Sequence, residues 1–553
     1  MSNPSTTLSL LLLISLFAKL SSSSPVFLNI NCGTSDTTYS DELNMKWVGD
    51  KDYIHTGESH PTNSLVPPPF QLPQWASTLR AFPDLRKSCY TIPVPGGGKI
   101  LVRARFYYGN YDNKLSPPTF ALNIDANMWE VFTVPLDLPI HKEVIYVVDG
   151  DVTSVCVAQV EGGQVPFINA IEMRRLDGEM YGNVDSSRAL FKEFRISSFA
   201  PPMVVRFPDD KYDRIWSPGT IIKGLNALQS DTSIMHVNIT DDPPVSVLKN
   251  ALSSGDVSIV IFFPFETFNT YINLYFVEMT KLRSSQKRFI QVSKFDKVTE
   301  PFSPPYQSVK EICITNTSFI SIYATNDSTL PPIISAMEVF TISDPLSDGT
   351  NAKDVEALKL LQHQFNALGA WAGDPCLPMD YNWEWVQCSS DQTPRITSLD
   401  LSSMSLSGFL PDFSAMDALE SIDLHNNSFS GSIPDFFGNF PNLKELNLAH
   451  NYFSGPIPSS LTNNNNIIFH FSGNQKLCQS YNCAASAEKK KKKSSGSKIG
   501  LIFAILETCM ANTIHMLGLR RCPCVPRMVR PRPFRSHCIN DTVSRQLNMT
   551  FVS

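Results

Sequence analysis

The stretch RARFYYGNYDN, from Arg103 to Asn113, holds the residues whose types and spacing most favour chemistry on a ligand. It brings three aromatic side chains and a carboxylate together, at Tyr107, Tyr108, Tyr111 and Asp112. Aromatic faces stack on the apolar C–H side of a pyranose ring, while carboxylates and amides hydrogen-bond its hydroxyl groups. These four residues are therefore a candidate carbohydrate-binding site.

The same tyrosines also have a structural interpretation. The segment from Val102 to Phe106 alternates in the way that a β-strand does. This alternation places Tyr107 and Tyr108 on opposite faces unless the strand ends before them. One tyrosine would then pack in a core while the others cover a turn made by Gly109. The sequence leaves both interpretations open.

Acids and arginines crowd a second segment, RFPDDKYDRIW. Asp209, Asp210 and Asp213 could pair with Arg206 and Arg214. We favour this pairing over a ligand site, and expect it to fix a corner between two parts of the fold.

Catalytic motifs are missing from the sequence. A protein kinase needs a glycine-rich loop, a strand lysine, a His-Arg-Asp loop and an Asp-Phe-Gly segment, and none occurs. The hydrolase motifs His-Glu-x-x-His and Gly-x-Ser-x-Gly do not occur either. The net charge of −6, without a broad basic footprint, argues against nucleic acid as a partner. We therefore predict no enzyme activity, no catalytic residues, no metal and no cofactor.

Two features indicate the secretory pathway. An apolar run and a string of small residues, between Leu8 and Ser24, predict a signal peptide over residues 1–24, although no Lys or Arg precedes the run. Asn-x-Ser/Thr sequences are candidate glycosylation sites, at Asn238, Asn316, Asn326 and Asn426.

Eight cysteines precede a lysine run that begins at Lys489, and an even number fits disulfides in an oxidising compartment. Two close pairs are candidate local bridges, Cys376 with Cys388 and Cys478 with Cys483. The other four cysteines allow three pairings that the sequence does not rank, among Cys32, Cys89, Cys156 and Cys313.

An internal repeat dominates the region after position 396. Two copies begin 24 residues apart, at Leu419 and Leu443, and a looser copy begins at Ile396. Apolar residues at Leu443 and Leu446 point into a stack, and Asn451 could satisfy backbone groups at the turn. This predicts a short leucine-rich-repeat solenoid with its C-terminal cap over residues 396–484. A cysteine-containing cap over 371–395 and a linker helix over 350–370 would precede it.

The region before the repeats reads as mainly β, because strand-length apolar runs such as VSIVIFFPF and TYINLYFVEM recur between turn residues. No long helical pattern interrupts these runs. We predict two tandem β-sandwich modules, residues 26–180 and 181–345.

Three segments of this region resemble the plant malectin-like extracellular region: FLNINCG with MKWVGD, RARFYYGNYDN, and RFPDDKYDRIWSP. The resemblance implies two malectin-like sandwiches, followed by a GDPC segment, here Gly373 to Cys376, and a few leucine-rich repeats. In most relatives a transmembrane helix and a cytoplasmic Ser/Thr kinase follow. The resemblance also implies that Tyr107 and Tyr108 match the aromatic pair with which animal malectin binds a glucose oligosaccharide.

The C-terminal region begins like the approach to a membrane. Residues 485–498 form a basic juxtamembrane linker, and residues 499–519 are long enough to span a bilayer. Glu507 interrupts this span and would cost about 3 kcal/mol near its centre. We expect a degenerate transmembrane segment, followed at 520–553 by a tail that diverges from the family through altered splicing or a frameshift.

These patterns predict a kinase-less receptor-like protein that binds carbohydrate or peptide and signals through a partner receptor kinase. A single-pass protein of the plasma membrane is favoured over a secreted one. The alternative is a soluble secreted carbohydrate-binding protein, or a decoy of a full-length receptor kinase.

Overall fold

The computed structural model describes residues 27–34, 38–65, 71–197, 203–219, 225–232, 235–254, 258–263, 269–295, 297–478 and 551–552. Strands dominate these residues, so the chain is mainly β, as predicted. The predicted signal peptide, the candidate membrane segment and nearly all of the divergent tail lie outside the described residues.

The first β-half consists of thirteen strands and a 3-10 helix at Gln74–Ala76. The strands are β1 (Phe27–Asn31), β2 (Tyr39–Ser40), β3 (Lys46–Gly49), β4 (Glu58–Pro61), β5 (Thr78–Ala81), β6 (Lys87–Pro93), β7 (Gly98–Phe106), β8 (Thr119–Ile124), β9 (Asn127–Thr133), β10 (Ile140–Val148), β11 (Val152–Gln159), β12 (Phe167–Ile168) and β13 (Ala170–Arg175).

The second β-half adds twelve strands and the short helix α1 (Val245–Leu248). The strands are β14 (Leu190–Ser197), β15 (Ser217–Pro218), β16 (Leu225–Gln229), β17 (Asn250–Ser254), β18 (Ser258–Phe262), β19 (Thr270–Phe276), β20 (Ile290–Lys294), β21 (Lys297–Val298), β22 (Lys310–Thr315), β23 (Phe319–Ala324), β24 (Ile333–Ile334) and β25 (Ala336–Ile342).

One long sheet runs through both halves, in the order β2-β3-β1-β13-β7-β10-β14-β25-β19-β22. The halves join where β10 pairs with β14, with Val144 opposite Phe191. A four-stranded sheet, β6-β11-β8-β9, belongs to the first half, and a sheet built on β21-β20-β23-β18 belongs to the second. Both halves therefore share the long sheet, and each half also has a smaller sheet of its own.

The side chains of β7 alternate between the two faces of the long sheet, and both faces are buried there. Val102, Ala104 and Phe106 lie in a hydrophobic core with residues of the four-stranded sheet. Arg103 and Arg105 lie on the opposite face and are buried as well. A strand buried on both faces with arginines on one of them requires carboxylate partners there.

The C-terminal part of the described chain begins with α2 (Ala352–Gln364), inside the predicted linker-helix region, and continues into repeats. Its strands are β26 (Val386–Cys388), β27 (Ile396–Asp400), β28 (Ser407–Gly408), β29 (Ser421–Asp423), β30 (Ser428–Gly431), β31 (Glu445–Asn447), β32 (Tyr452–Pro456), β33 (Ile468–His470) and β34 (Lys476–Cys478). Short helices lie between them, at Asn366–Ala370, Met379–Tyr381, Asp435–Asn439 and α3 (Ser459–Thr462). The last described strand is β35 (Phe551–Val552), which pairs with β18.

The repeats stack in parallel, as their period predicts. Leu399, Ile422 and Leu446 lie side by side in one buried column, and the partly buried Phe469 extends it. The Asn451 side chain donates to the Leu424 carbonyl at 2.9 Å and accepts from a neighbouring backbone N–H. The prediction that this asparagine satisfies backbone groups inside the stack is confirmed.

Candidate functional site

Tyr107, the first member of the predicted carbohydrate site, is fully buried. Its hydroxyl donates to the Asn63 carbonyl at 2.9 Å and accepts from the Leu65 N–H at 2.8 Å. The ring packs in a cluster with Trp47 and Trp75. Tyr107 therefore anchors the segment around residue 64 to the long sheet.

The other three predicted site residues lie on the opposite face. Tyr108 is fully buried in the core of the first half, and its hydroxyl is hydrogen-bonded to the carboxylate of Asp112. Tyr111 is half-buried and packs edge-to-face on Tyr108, with ring centroids 5.7 Å apart. The structural interpretation placed one tyrosine in a core, whereas Tyr107 and Tyr108 are both fully buried, in separate clusters. Carbohydrate binding through these four residues stays a prediction.

In the acid- and arginine-rich segment, Asp210 and Asp213 pair with the arginines as predicted. The Asp213 carboxylate accepts from Arg206 at 2.8 and 2.9 Å, and the Asp210 carboxylate accepts from Arg214 at 2.8 Å. Asp209 is exposed.

These pairs belong to a larger buried network that sequence reasoning missed. Arg103 donates to Glu143 at 2.8 Å and also contacts Glu172 and Asp213. The sequence signal was present, since charged residues alternate along otherwise apolar strands. Burial by itself would raise the pKa of Glu143, but the guanidinium groups of Arg195 and Arg103 outweigh burial and hold that pKa below its ordinary value.

A second set of carboxyl groups lies in the other half. Asp241 accepts from the Tyr181 N–H at 2.6 Å and also from the Asn273 amide. Glu311 on β22 is half-buried and shares a hydrogen bond with Asp241. Burial, and then the charge of Asp241, raise the pKa of Glu311 to about 9. The Glu311 carboxyl is therefore protonated at neutral pH.

Glu311→Gln is expected to flatten the dependence of stability on pH. The pKa of Glu311 is higher in the folded chain than in the unfolded chain, so its contribution to stability is complete at acidic pH and is lost as pH rises toward 9. The melting temperature of the wild type should fall across this range more than that of the variant. Thermal unfolding followed by circular dichroism from about pH 5 to pH 9 measures both slopes. Glu445→Gln, at an exposed position of the repeats, is the control, and equal slopes for Glu311→Gln and wild type would contradict the assignment.

The cysteines pair in part as predicted. Cys376 and Cys388 form the predicted disulfide, while Cys478 is disulfide-bonded and Cys483 lies outside the described residues. A further disulfide joins Cys89 to Cys156.

None of the three complete pairings of the other four cysteines is formed, since Cys32 and Cys313 are free. Cys89 and Cys156 face each other in register on β6 and β11, with Cα atoms 4.0 Å apart. Cys32 follows β1, whereas Cys313 lies in β22 at the other end of the long sheet. Strand order therefore keeps the two free cysteines apart.

The four candidate glycosylation sites are exposed, at Asn238, Asn316, Asn326 and Asn426. Exposure is what attachment of a glycan requires. Glycosylation itself stays a prediction.

The cap of the repeats is seated on the outer face of the four-stranded sheet. The buried Lys87 ammonium donates to the carbonyls of Asp374 and Leu377 at 2.6 and 2.7 Å. Burial lowers the pKa of Lys87 to about 8, and the nearby Asp374 carboxylate opposes this shift. A buried lysine of the first β-half therefore hydrogen-bonds the backbone of the GDPC segment and of the residue that follows it.

Gly373 brings this segment directly onto the Cys89–Cys156 disulfide. Its φ is +74°, and a Cβ at this position would lie 2.4 Å from the Cys89 Sγ atom. Tyr381 packs nearby on Ala121 and Ala158 of the same sheet. The seat combines a hydrogen-bonded lysine, a close backbone contact and an aromatic contact.

A cavity of about 640 Å³ opens beside this seat. The hairpins β8–β9 and β10–β11 line one side, and α2 and the segment 371–375 line the other. Residues 346–349, which connect the second β-half to α2, also line it. Sequence reasoning missed this cavity, because its walls come from four separate parts of the chain.

The family comparisons agree with the architecture. A model of the malectin-like domain matches residues 30–342, and a leucine rich repeat model matches residues 394–453. A putative leucine-rich repeat receptor-like protein kinase of Arabidopsis thaliana is 33% identical over 69% of this chain and 45% of the kinase. An uncharacterized protein of the same plant is 35% identical over 62% of this chain and 70% of that protein. The chain spans about half the length of the receptor kinases it matches.

Among solved structures, the ANXUR1 extracellular domain from Arabidopsis thaliana has a TM-score of 0.47 at 20% identity, over 57% of this chain and 97% of that domain. A structure of the plant peptide RALF23 in complex with FER and LLG2 has a TM-score of 0.45 at 19% identity, over 58% of this chain and 96% of the matched chain. Because both TM-scores are below 0.5, the family of this chain is assigned from the sequence matches. With its malectin-like domain over residues 30–342 and its leucine-rich repeats downstream, this chain belongs to the malectin-like family in the form found in plant leucine-rich-repeat receptor-like kinases.

Proposed function

We propose that the chain is a receptor-like protein of the cell surface that binds an extracellular carbohydrate or peptide and has no enzyme activity of its own. The observation that carries this proposal is the seat of the repeat cap on the first β-half. Lys87 of the first β-half donates hydrogen bonds to backbone carbonyls of the repeat cap. Gly373 of the cap lies against the Cys89–Cys156 disulfide of the first β-half. Two recognition modules fixed against each other form one composite binding surface.

The β-rich region works, in this proposal, as two tandem malectin-like sandwiches over residues 26–180 and 181–345. Separate hydrophobic cores support this division. One includes Phe106 and Phe120, and the other includes Ile272 and Ile322. The shared long sheet and the buried network at its centre would keep the two modules in a fixed orientation.

In this proposal the chain signals through a partner receptor kinase, and none of the kinase motifs occurs in these 553 residues. Residues 499–519 would anchor the chain in the plasma membrane in a single pass, after entry through the signal peptide. Among the described residues, no helix is both long enough and apolar enough to cross a membrane. The candidate segment lies outside them.

Anchoring is tested by expressing the full chain with an epitope tag in plant cells and extracting membranes with alkaline carbonate. We expect the tagged chain to stay in the membrane pellet, because an inserted helix resists carbonate. A double substitution of Leu501 and Ile505 by Asp should release it. Complete release of the wild type would contradict the anchored receptor and favour a soluble secreted protein.

A further inference from the structure

The cavity beside the repeat seat is built from walls that are held in place. The Asp125 carboxylate accepts from the Ser154 N–H at 2.7 Å and from the hydroxyls of Tyr146 and Thr153 at about 3 Å. These bonds fix the β8–β9 turn against the β10–β11 hairpin. The wall on the side of the first β-half is therefore rigid before any ligand arrives.

The opposite wall is held by Asp374 of the GDPC segment. Its carboxylate accepts from the Thr350 N–H at 2.7 Å, the Cys376 N–H at 2.9 Å and the Leu377 N–H at 2.8 Å. The Asp374 carboxylate therefore uses its hydrogen-bonding capacity on backbone N–H groups of its own loop and of residue 350. Asp125 and Asp374 shape the cavity, and other groups remain to contact a ligand.

Three charged side chains at the cavity are exposed: Asp149, Asp348 and Lys359. Within the described part of the chain, none of the three forms an ion pair or a side-chain hydrogen bond. Several hydroxyl groups lie beside them, including Ser186, Ser187 and Ser347. The cavity therefore presents free acceptors, a free donor and neutral hydroxyls, and its lining of four aspartates and one lysine is net negative.

An aromatic wall completes the cavity. Trp371 is half-buried and lines it, and Trp383 lines it from a more buried position. The Trp371 indole N–H donates to Glu384, its ring packs edge-to-face on Trp385, and its carbonyl accepts from Gln362 at 2.7 Å. A tryptophan whose indole is held by two contacts and whose backbone is held by a third can receive a ligand with little loss of conformational entropy.

We infer that this cavity, between the first β-half and the repeat cap, binds a short neutral saccharide. A pyranose ring offers an apolar face for Trp371 and hydroxyl groups for Asp149, Asp348 and Lys359. The net negative lining disfavours an acidic saccharide, and the tryptophan ring beside several hydroxyl groups favours a neutral sugar over a basic peptide. A volume of about 640 Å³ suits a small ligand. The inference rests on the proposed binding function and places the ligand away from the tyrosine site predicted from the sequence.

Gly150 provides a way to close the cavity without disturbing the fold. It lines the cavity, and a Cβ at this position meets no atom within 4 Å. Gly150→Phe should place a ring in the cavity, while Gly162→Phe adds the same ring at an equally open glycine outside it. Asp149→Ala with Asp348→Ala removes the free acceptors, and Asp137→Ala is the exposed control.

The experiment titrates cellobiose, maltose, cellotriose and a tetralysine peptide into the purified full chain by isothermal calorimetry. We expect at least one saccharide to bind, and Gly150→Phe and the double aspartate variant to weaken it by about tenfold or more, with both controls unchanged. Binding that survives Gly150→Phe, or is lost in Tyr111→Ala alone, would overturn the inference. So would tetralysine binding in place of saccharide. Absence of saccharide binding in a carbonate-resistant protein would reject this inference and leave the proposed receptor standing.

Discussion

Arg195→Met is expected to lower the free energy of unfolding by about 3–5 kcal/mol, because it leaves the buried Glu338 carboxylate without its ion-pair partner and removes one of the guanidinium groups paired with Glu143. Arg195 is 1% exposed and joins the two β-halves. It donates to Glu143 on β10 at 2.7 Å and to Glu338 on β25 at 2.5 Å. After the substitution, the hydrogen-bond donors left to Glu338 among the described residues would be the neutral hydroxyls of Tyr181 and Tyr275.

Chemical denaturation followed by tryptophan fluorescence measures this loss. Lys444→Met is the matched control, since it removes an exposed pair with Glu420 and should change stability by less than about 1 kcal/mol. Adding Glu338→Gln to Arg195→Met should recover part of the loss, because it removes the uncompensated charge. An unchanged denaturation midpoint for Arg195→Met would show that this arginine does not stabilise the junction.

Gly373→Ala is expected to unseat the repeat cap from the first β-half. Its left-handed backbone alone costs an alanine about 1–2 kcal/mol, and overpacking adds about 1–3 kcal/mol. The atom that blocks the new methyl group is the Cys89 Sγ atom, 2.4 Å away. Cys89 is bonded to Cys156 and held in register between strands, so it has little freedom to move.

Small-angle scattering and limited proteolysis report on the seat directly. The variant should show a larger radius of gyration and faster cleavage between residues 343 and 351, with the repeats still folded. Gly369→Ala is the control, because a Cβ at Gly369 meets no atom within 4 Å and its φ is not positive. Scattering and cleavage equal to the wild type in Gly373→Ala would contradict the proposed seat.

Some features were predictable because the residues that decide them lie close together in the chain. Each repeat contacts only its neighbours, so the 24-residue spacing of Leu419 and Leu443 was enough to predict the stack. The Cys376–Cys388 pair and the Asp210–Arg214 pair are equally local. Strand alternation also assigned Val102, Ala104 and Phe106 to one face of β7, although the strand ends before Tyr107 and Tyr108.

Burial and partner choice were decided by residues far away in the chain. Tyr107 is closed off by Asn63 and Leu65, which no local pattern connects to it. Arg103 finds carboxylates 40 and 110 residues away, at Glu143 and Asp213. Strand order, which short-range periodicity does not encode, determines these meetings and also leaves Cys32 and Cys313 apart.

The sequence by itself determined the class of protein: a mainly β region with malectin-like segments, a GDPC segment and stacked repeats. Only the tertiary structure decided which surfaces are open. It buried Tyr107 and Tyr108 and formed a cavity between the first β-half and the repeat cap. The physical reason is that local periodicity determines which face of an element is apolar, whereas a cavity depends on how separately folded elements pack against one another.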